Sequence, residues 1–339
     1  MLFDCFGISM KLQRIYLLTE SDGFFGQHLQ PWESIDNKIF IDVLSKEFEI
    51  VPITYMQIST GEIRPENSVI VHSSSQQQEY KHFVDDQLLY LFALGNQLVP
   101  SIHVTRSHEN KGYQELHKRL ANVDSLPAVY FAKRKELDIS GWKYPMVVKR
   151  INGFGSTGVA LSNSSDELEH AVQPEIRTTA RERLLVWRRR LVRFFRFLTR
   201  RKLPALDFGN YYEPLERFVI QKYVAGLDGD CKVIAFQNAI FVLKRDVRPG
   251  DFRASGSGIF QFVDPPAGLL DYACGLLKKF NEPYMSFDIA ASGDGFHLIE
   301  FQGVHFGPWT VVNARFYFAK TESGWEKTAK GKPFEGYMA

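Results

Sequence analysis

The chain has 339 residues, 45% hydrophobic and 24% charged, with a net charge of only +2. That is the profile of a soluble globular protein, long enough for two or three packed modules and a core that needs no metal or disulfide to hold it. Cys5, Cys231 and Cys274 are far apart and form no C-x-x-C pair, which argues against a structural zinc site and for a reducing compartment. There is no apolar run of roughly eighteen residues, so no membrane span is expected. The opening MLFDCFGISMKLQR lacks a basic region followed by an apolar block, so it does not read as a signal peptide and the cytoplasm is the expected location.

In chain order, residues 11–19 (KLQRIYLLT) read as a buried first strand. Residues 38–48 have helical spacing, and 50–55 and 68–72 read as strands. Residues 85–95 read as a helix stopped by Gly95, and 99–104 as another strand. Strands alternating with helices predict a small α/β lobe with a mostly parallel sheet. Residues 113–120 read as a helix, LPAVYFA as a strand from Pro127, and YPMVVK (144–149) as a strand running into NGFGSTG and then VALS. A short helix over 166–172 is capped by Ser164 or Ser165. From Phe218 the chain is strand-rich: FVIQKYV, KVIAF and AIFVLKR, the last two paired through Gln237-Asn238. A helix over 269–280 follows, then MSFDIA and FHLIEFQG as a hairpin across Gly293-Asp294-Gly295, and a polar tail expected to be loosely held.

Three features carry chemistry. First, Lys149 ends a strand and precedes a loop with Gly153, Gly155, Ser156, Thr157 and Gly158. Glycines let backbone N–H groups approach phosphate oxygens, and the lysine adds a cation. The order is not that of a P-loop, whose lysine ends the loop. Read alone, the segment fits a phosphate cradle or a plain glycine hairpin. Second, Asp288, Glu300 and Gln302 sit on the two strands of one hairpin, with Glu300 and Gln302 on one face and Asp288 able to sit opposite. Two carboxylates and an amide oxygen are hard ligands suited to magnesium carried on a triphosphate. The alternative, an ordinary hairpin with a polar outer face, is weakened by apolar Phe287, Ile289, Ile299 and Phe301, which should fill the opposite face. Third, Lys232, Lys244, Arg245, Arg248 and Arg253 lie on or beside a strand pair. They read as a solvated face or, opposite a phosphate loop, as a clamp on transferring phosphate.

These features, in this order, resemble the ATP-grasp superfamily, and most closely its RimK-like carboxylate–amine ligases, over roughly residues 100 to 310. The resemblance implies an α/β fold, α+β in the C-terminal lobes, with an N-terminal lobe (1–105) and two lobes gripping ATP (106–176 and 216–320). Residues 177–215 are then an insert and 321–339 a tail. It implies that Lys111 and Lys149 contact the α- and β-phosphates and that Gly153 to Gly158 fold over the triphosphate. Gln221, Lys222, Tyr223 and Val224 would form the hinge at adenine, with Asp230 near the ribose. Lys232 would stand near the substrate, and Arg245 and Arg253 would hold the γ-phosphate and an acyl phosphate. Asp288, Glu300 and Gln302 would bind one or two magnesium ions, with manganese as a substitute. The activity implied is ADP-forming ligation of a carboxylate to an amine; a nucleotide-binding module without catalysis and a phosphotransferase acting on a hydroxyl are the alternatives. Homo-oligomers are common among such ligases. The chain departs from the pattern in three places: Gln302 stands where Asn is usual, the hinge lacks an acidic residue at Gln221 or Lys222, and the turn after the metal strand reads QGVHFGP. His305 in that turn reads as structural rather than as a base. His28, Ser73, Ser74 and Ser75 are exposed-loop candidates for binding the acceptor.

One segment stands apart. Residues 177–202 hold ten Arg and one Lys against one Glu, a local charge of +10 in an otherwise mildly acidic chain. On a helix, Leu184, Trp187, Leu191, Phe194, Phe195 and Leu198 share one face, with Arg189, Arg193, Arg196 and Arg200 opposite. Such a helix packs on the protein itself, binds a partner, or lies peripherally on the inner face of a membrane. Nucleic acid is disfavoured because the rest of the chain is acidic and has no RNA-binding motif. On a membrane the carboxylate would be lipid-linked, such as a uronic acid of a cell-surface glycan precursor.

Overall fold

The computed structural model of the chain describes residues 13–133, 136–137, 142–151, 158–172, 180–199 and 217–339. These divide into two compact units: one holds the chain up to Leu126 and again from Val224 onward, the other runs from Pro127 to Tyr223. The opening stretch with Cys5 lies outside the described residues.

The first unit begins with β1 (Gln13–Thr19), α1 (Asn37–Leu44), β2 (Phe48–Thr54), α2 (Tyr55–Ser59), β3 (Val69–His72), α3 (Gln78–Ala93), β4 (Gln97–Val99), α4 (Ile102–Ser107) and α5 (Lys111–Leu120). Its four strands form a parallel sheet in the order β2-β1-β3-β4. Both faces are covered, which is why β1 and β3 read as near-continuous apolar runs. Leu18, Ile53 and Ile70 pack on Leu88 and Leu91 of α3, while Leu17 and Val71 pack on Phe25 and Phe40. The helix predicted over 38–48 stops at Leu44 because Phe48 already opens β2; its start is fixed by Asp36, which accepts from the Lys38 and Ile39 amides. The strand predicted over 99–104 ends at Val99. Pro100 has no N–H to continue a ladder, and the Ser101 hydroxyl caps α4 instead. Helix α3 starts at Gln78 rather than Asp85 and ends as predicted, with Gly95 left-handed at φ +78°.

The second unit contains β5 (Ala128–Phe131), β6 (Met146–Arg150), β7 (Val159–Ser162), α6 (Ser165–Ala171), α7 (Ala180–Leu198) and β8 (Phe218–Lys222). Its antiparallel sheet has the order β5-β8-β6-β7. Met146, Val148, Phe218 and Ile220 pack on Leu168 of α6, whose first turn is capped by Ser164. Ala128, Ile151 and Val219 occupy the other face.

The chain then completes the first unit with β9 (Gly229–Phe236), β10 (Ile240–Asp246), β11 (Phe260–Gln261), α8 (Leu269–Phe280), β12 (Tyr284–Ser292), β13 (Gly295–Gln302), α9 (Trp309–Asn313), β14 (Phe316–Thr321), β15 (Gly324–Ala329) and α10 (Glu335–Met338). The strands form a seven-stranded sheet, β13-β12-β9-β10-β14-β15 with β11 beside β10. Alternation buries both faces. Val233, Ala235, Phe287 and Ile289 face Leu276, Leu277 and Phe280 of α8, while Ile234, Phe236, Phe241 and Tyr284 join Ile15, Leu17 and Phe25 of the parallel sheet. The segment expected as a loose tail is instead the β14–β15 hairpin and α10. Phe334 is buried there, and Glu335 accepts from the Asp36 amide at 3.0 Å. Its polar composition reflects one solvated hairpin face rather than disorder.

Two contacts fasten the stretches of the first unit together. A Cβ on Gly303 would collide with Cγ1 of Val104, so glycine is required by close approach. Glu282 accepts twice from the Ser101 amide, at 3.1 and 3.2 Å. Gly303→Ala should therefore cost about 1–3 kcal/mol in urea denaturation, and adding Val104→Ala should recover part of the loss by making room. Burial pushes the Glu282 carboxyl from 4.5 up to about 7, against the pull of the Ser101 bonds. A carboxyl whose folded value is raised contributes stability that is complete below its unfolded value and lost as the pH rises through the folded one. Wild-type stability should thus fall by about 1–3 kcal/mol relative to Glu282→Gln between about pH 4.5 and about pH 8, measured by urea denaturation at both.

Candidate functional site

One face of the seven-stranded sheet changes character along its strands. On β9 the side chains of Ile234 and Phe236 are core, but Lys232 and Asp230 follow on the same face. On β10 the sequence runs from Phe241 to Arg245, and on β12 from Tyr284 to Asp288. The register sets Arg245 opposite Asp230, Asp288 opposite Lys232, and Glu300 of β13 opposite Asp288. The apolar face thus ends in a cluster of charge.

Arg245 organises the cluster. Its Nε and Nη2 donate to the two Asp230 oxygens at 2.6 and 2.7 Å, and Nη2 also meets Asp288 Oδ2 at 2.8 Å. Lys232 Nζ stands 3.6 Å from Asp288 Oδ1, and Lys111 Nζ stands 3.9 Å from Glu300 Oε1. Burial works to raise the Asp288 carboxyl, but Arg245 and Lys232 outweigh it and hold it below the ordinary range. Burial holds Asp230 above its ordinary value, with Arg245 offsetting only part. Burial would depress the Arg245 guanidinium, yet Asp288 and Asp230 raise it. Arg253 lies apart, paired with Asp251 at 2.9 Å and holding that carboxyl down to about 2.

Strand β13 carries an irregularity that sequence spacing did not show. Asp288 pairs with Glu300 but Ile289 pairs with Leu298, so Ile299 is the extra residue of a β-bulge. Leu298, rather than the predicted Ile299, therefore fills the core beside Phe287. Fully buried Lys118 donates to the Ile299 carbonyl at 3.2 Å and to Glu115 at 2.8 Å. Among the described residues no group of three or more His, Cys, Asp or Glu side chains is disposed to hold a metal ion. Asp288, Glu300 and Gln302 offer oxygen donors only. That set fits a magnesium ion that takes its remaining ligands from phosphate, and it does not make a closed protein cage.

In the second unit Lys149 and Gln221 lie on one face of the sheet with Val219, set by the pairing of β6 and β8. Both are buried, and Gln221 Nε2 has no hydrogen-bond partner. The described ends of the glycine loop are tied by Arg150 N–H donating to Gly158 O at 2.8 Å. Gly158 is left-handed (φ +73°) and packs against the Arg150 side chain, so any other residue is strained there. Gly153, Gly155, Ser156 and Thr157 lie outside the described residues. Lys222 is exposed, Tyr223 and Val224 half-buried.

Neither a protein-family model nor a curated protein sequence matches the chain. Solved structures do. It is similar to a D-cycloserine synthetase at 13% identity, covering 87% of this chain and 92% of that one, with a TM-score of 0.50. The chain has the ATP-grasp fold. Other similar structures are the D-alanine–D-alanine ligase of Bacillus anthracis complexed with ATP (14% identity, 88% and 91% covered, TM-score 0.47) and a RimK-domain ATP-grasp protein of Sphaerobacter thermophilus (12%, 85% and 90%, 0.46). Within this ATP-grasp fold the structure gathers Lys111, Asp230, Lys232, Arg245, Asp288, Glu300 and Gln302 on or against one sheet face, and leaves Arg253 beside Asp251.

A second cluster escaped the sequence. Ser74 and Ser75, expected in an exposed loop, are buried. Ser74 O accepts from His305 Nε2, and the His305 ring lies 5.3 Å from that of His108. Both ring nitrogens of His108, Nδ1 of His305 and Oγ of Ser74 are buried without a partner. Burial lowers His305 to about 4 and His108 well below its ordinary value, so both are neutral at pH 7. A cavity lined by Gly26, His72, Ser73, Tyr284 and Gly303 adjoins His305. The sequence named Ser74, Ser75 and His305 only singly, and nothing in it joined them or pointed to His108.

Removing Arg245 leaves two buried carboxylates facing each other. Arg245→Ala should cost about 3–5 kcal/mol in urea denaturation. Arg245→Lys should recover only part, because an ammonium cannot reproduce the two-pronged bond to Asp230.

Proposed function

We propose that the chain is an ATP- and magnesium-dependent ligase that joins a carboxylate to an amine with release of ADP and phosphate. The observation that carries this reading is the adjacency of Asp288 and Glu300 to Lys111, Lys232 and Arg245 on an ATP-grasp fold. The similar solved structures named as ligases and as a synthetase support it. Asp288, Glu300 and Gln302 would hold magnesium, which neutralises charge on the triphosphate. Lys149 and the unpartnered Gln221 amide suit phosphate and base respectively, with Lys222, Tyr223 and Val224 offering backbone groups to adenine and the 153–158 loop covering the phosphates.

In this reading the substrate carboxylate oxygen attacks the γ-phosphorus, and the bond to the ADP oxygen breaks. Lys111, Lys232 and Arg245 bind and orient the anions at that step, and positioning plus charge neutralisation supply most of the rate. Arg253 would reach the phosphate by leaving Asp251. The amine then attacks the acyl carbon, phosphate leaves, and the amine proton passes to a base. The neutral imidazole of His108, unpartnered at both nitrogens, and that of His305, unpartnered at Nδ1, suit the acceptor and that proton. Within the class, the carboxylate we propose first is a uronic acid on a lipid-linked cell-surface glycan precursor, a choice supported by the basic helix α7 alone.

ADP release with Mg·ATP over pooled amino acids, peptides and uronic-acid sugars tests the reading, with hydroxylamine to trap the acyl phosphate. Glu300→Ala and Lys149→Ala should each lower release by about 10²-fold or more. Nucleotide binding with no release from any pool, lipid-linked carboxylates included, would mark a binding module. Release without a hydroxylamine adduct would mark transfer to a hydroxyl.

A further inference from the structure

Helix α7 presents an apolar face that stands largely exposed among the described residues. Its six-residue apolar stripe spans an arc of about 100° at 3.6 residues per turn. Leu184, Trp187, Phe194, Phe195 and Leu198 of that stripe are 56–61% exposed, and Phe197 beyond its edge is 68% exposed. A helix packed on the described residues of its own unit would bury these side chains, and they are not buried. Arg188 and Arg190, both exposed, fall at the two borders of the stripe, and Arg193 and Arg196 fall on the far side.

We propose that α7 docks the protein on an anionic lipid bilayer, lying in the plane of the surface with its aromatic stripe among the acyl chains. This goes beyond the ligase reading and does not need it. The charge decides among occupants. The segment 177–202 carries +10, so a second copy seated stripe to stripe would set two such segments side by side. A phosphodiester chain would satisfy the arginines and leave the tryptophan and phenylalanines in water. Acidic headgroups above an apolar layer answer both demands: the stripe enters the hydrocarbon boundary while Arg188 and Arg190 extend to phosphates at that boundary. Spanning is excluded for α7, since no described helix is long and apolar enough to cross a membrane.

The test is cosedimentation of the full chain with vesicles of phosphatidylcholine and phosphatidylglycerol in roughly a three-to-one ratio, beside phosphatidylcholine alone. Binding should require the acidic lipid and weaken in about 0.5 M salt. The triple variant Trp187→Ala, Phe194→Ala, Phe195→Ala should lose it by about tenfold or more, with an unchanged melting temperature and, in the absence of vesicles, unchanged ADP release on soluble carboxylates. That last readout separates failure of this proposal from failure of the ligase reading. Should the triple variant misfold, Arg188→Glu with Arg190→Glu carries the test and must show the same loss. Wild-type protein left in the supernatant, variants that bind as well as wild type, or a stripe that instead mediates dimers or binds single-stranded RNA would overturn the proposal.

Discussion

The charge cluster rests on one guanidinium. Arg245 reaches from β10 to Asp230 on β9 and Asp288 on β12, tying three adjacent strands at the point where their shared face stops being apolar. Such an ion cluster is a poor way to stabilise a sheet, since an apolar set of equal volume is often more stable by about 1–4 kcal/mol. The same face supplies that comparison, because Ile234, Phe236, Phe241 and Tyr284 fill it farther along the strands. Keeping charge at one end only is a cost that folding alone does not explain, and the charged ligand proposed above would explain it. Asp288 and Glu300 keep 16% and 24% of their side chains open, as a binding face requires.

Not every buried charge here has that meaning. Lys118 is wholly enclosed with Glu115, and its remaining contact is a backbone carbonyl. No ligand reaches it, so its work is structural. The pair sits on α5, where Lys111, Gln114, Glu115, His117 and Lys118 are all buried although the helix reads as a polar surface helix. The contrast between enclosed Lys118 and partly open Asp288 separates a supporting charge from a working one more cleanly than residue type does.

Most strands of the three sheets were legible because burial leaves a period-2 or continuous apolar signal. The carboxylates on the β12–β13 hairpin were legible because they interrupt such a signal. Helix α5 was legible as a helix over 113–120, but its burial was not, since what covers it lies far away in sequence: Phe280, Ile299 and Phe301. The strand predicted through Val104 failed for a local reason, as Pro100 and Ser101 convert an apolar run into a helix start. The terminal hairpin was hidden by its solvated face, and His108 because its ring neighbour, His305, lies far away in sequence. Sequence spacing finds periodic burial well, and it misses sites assembled from loops at the carboxyl ends of parallel strands, where Ser74 meets His305.

The bulge at Ile299 shows how little separates a site from a plain hairpin. In a regular strand Leu298 and Glu300 would share a face. The core takes Leu298 and Phe301, three residues apart, so the parity must change between them. The one extra residue makes that change, and it lets Glu300 stand beside Asp288 while Leu298 stays in the core. A bulge leaves ladder groups unpaired, and an unpaired buried carbonyl costs about 1–3 kcal/mol. Lys118 donates to the Ile299 carbonyl. A buried cation on α5 thereby offsets the cost of the irregularity that aims Glu300, and the placing of Glu300 beside Asp288 depends on a lysine that touches neither of them.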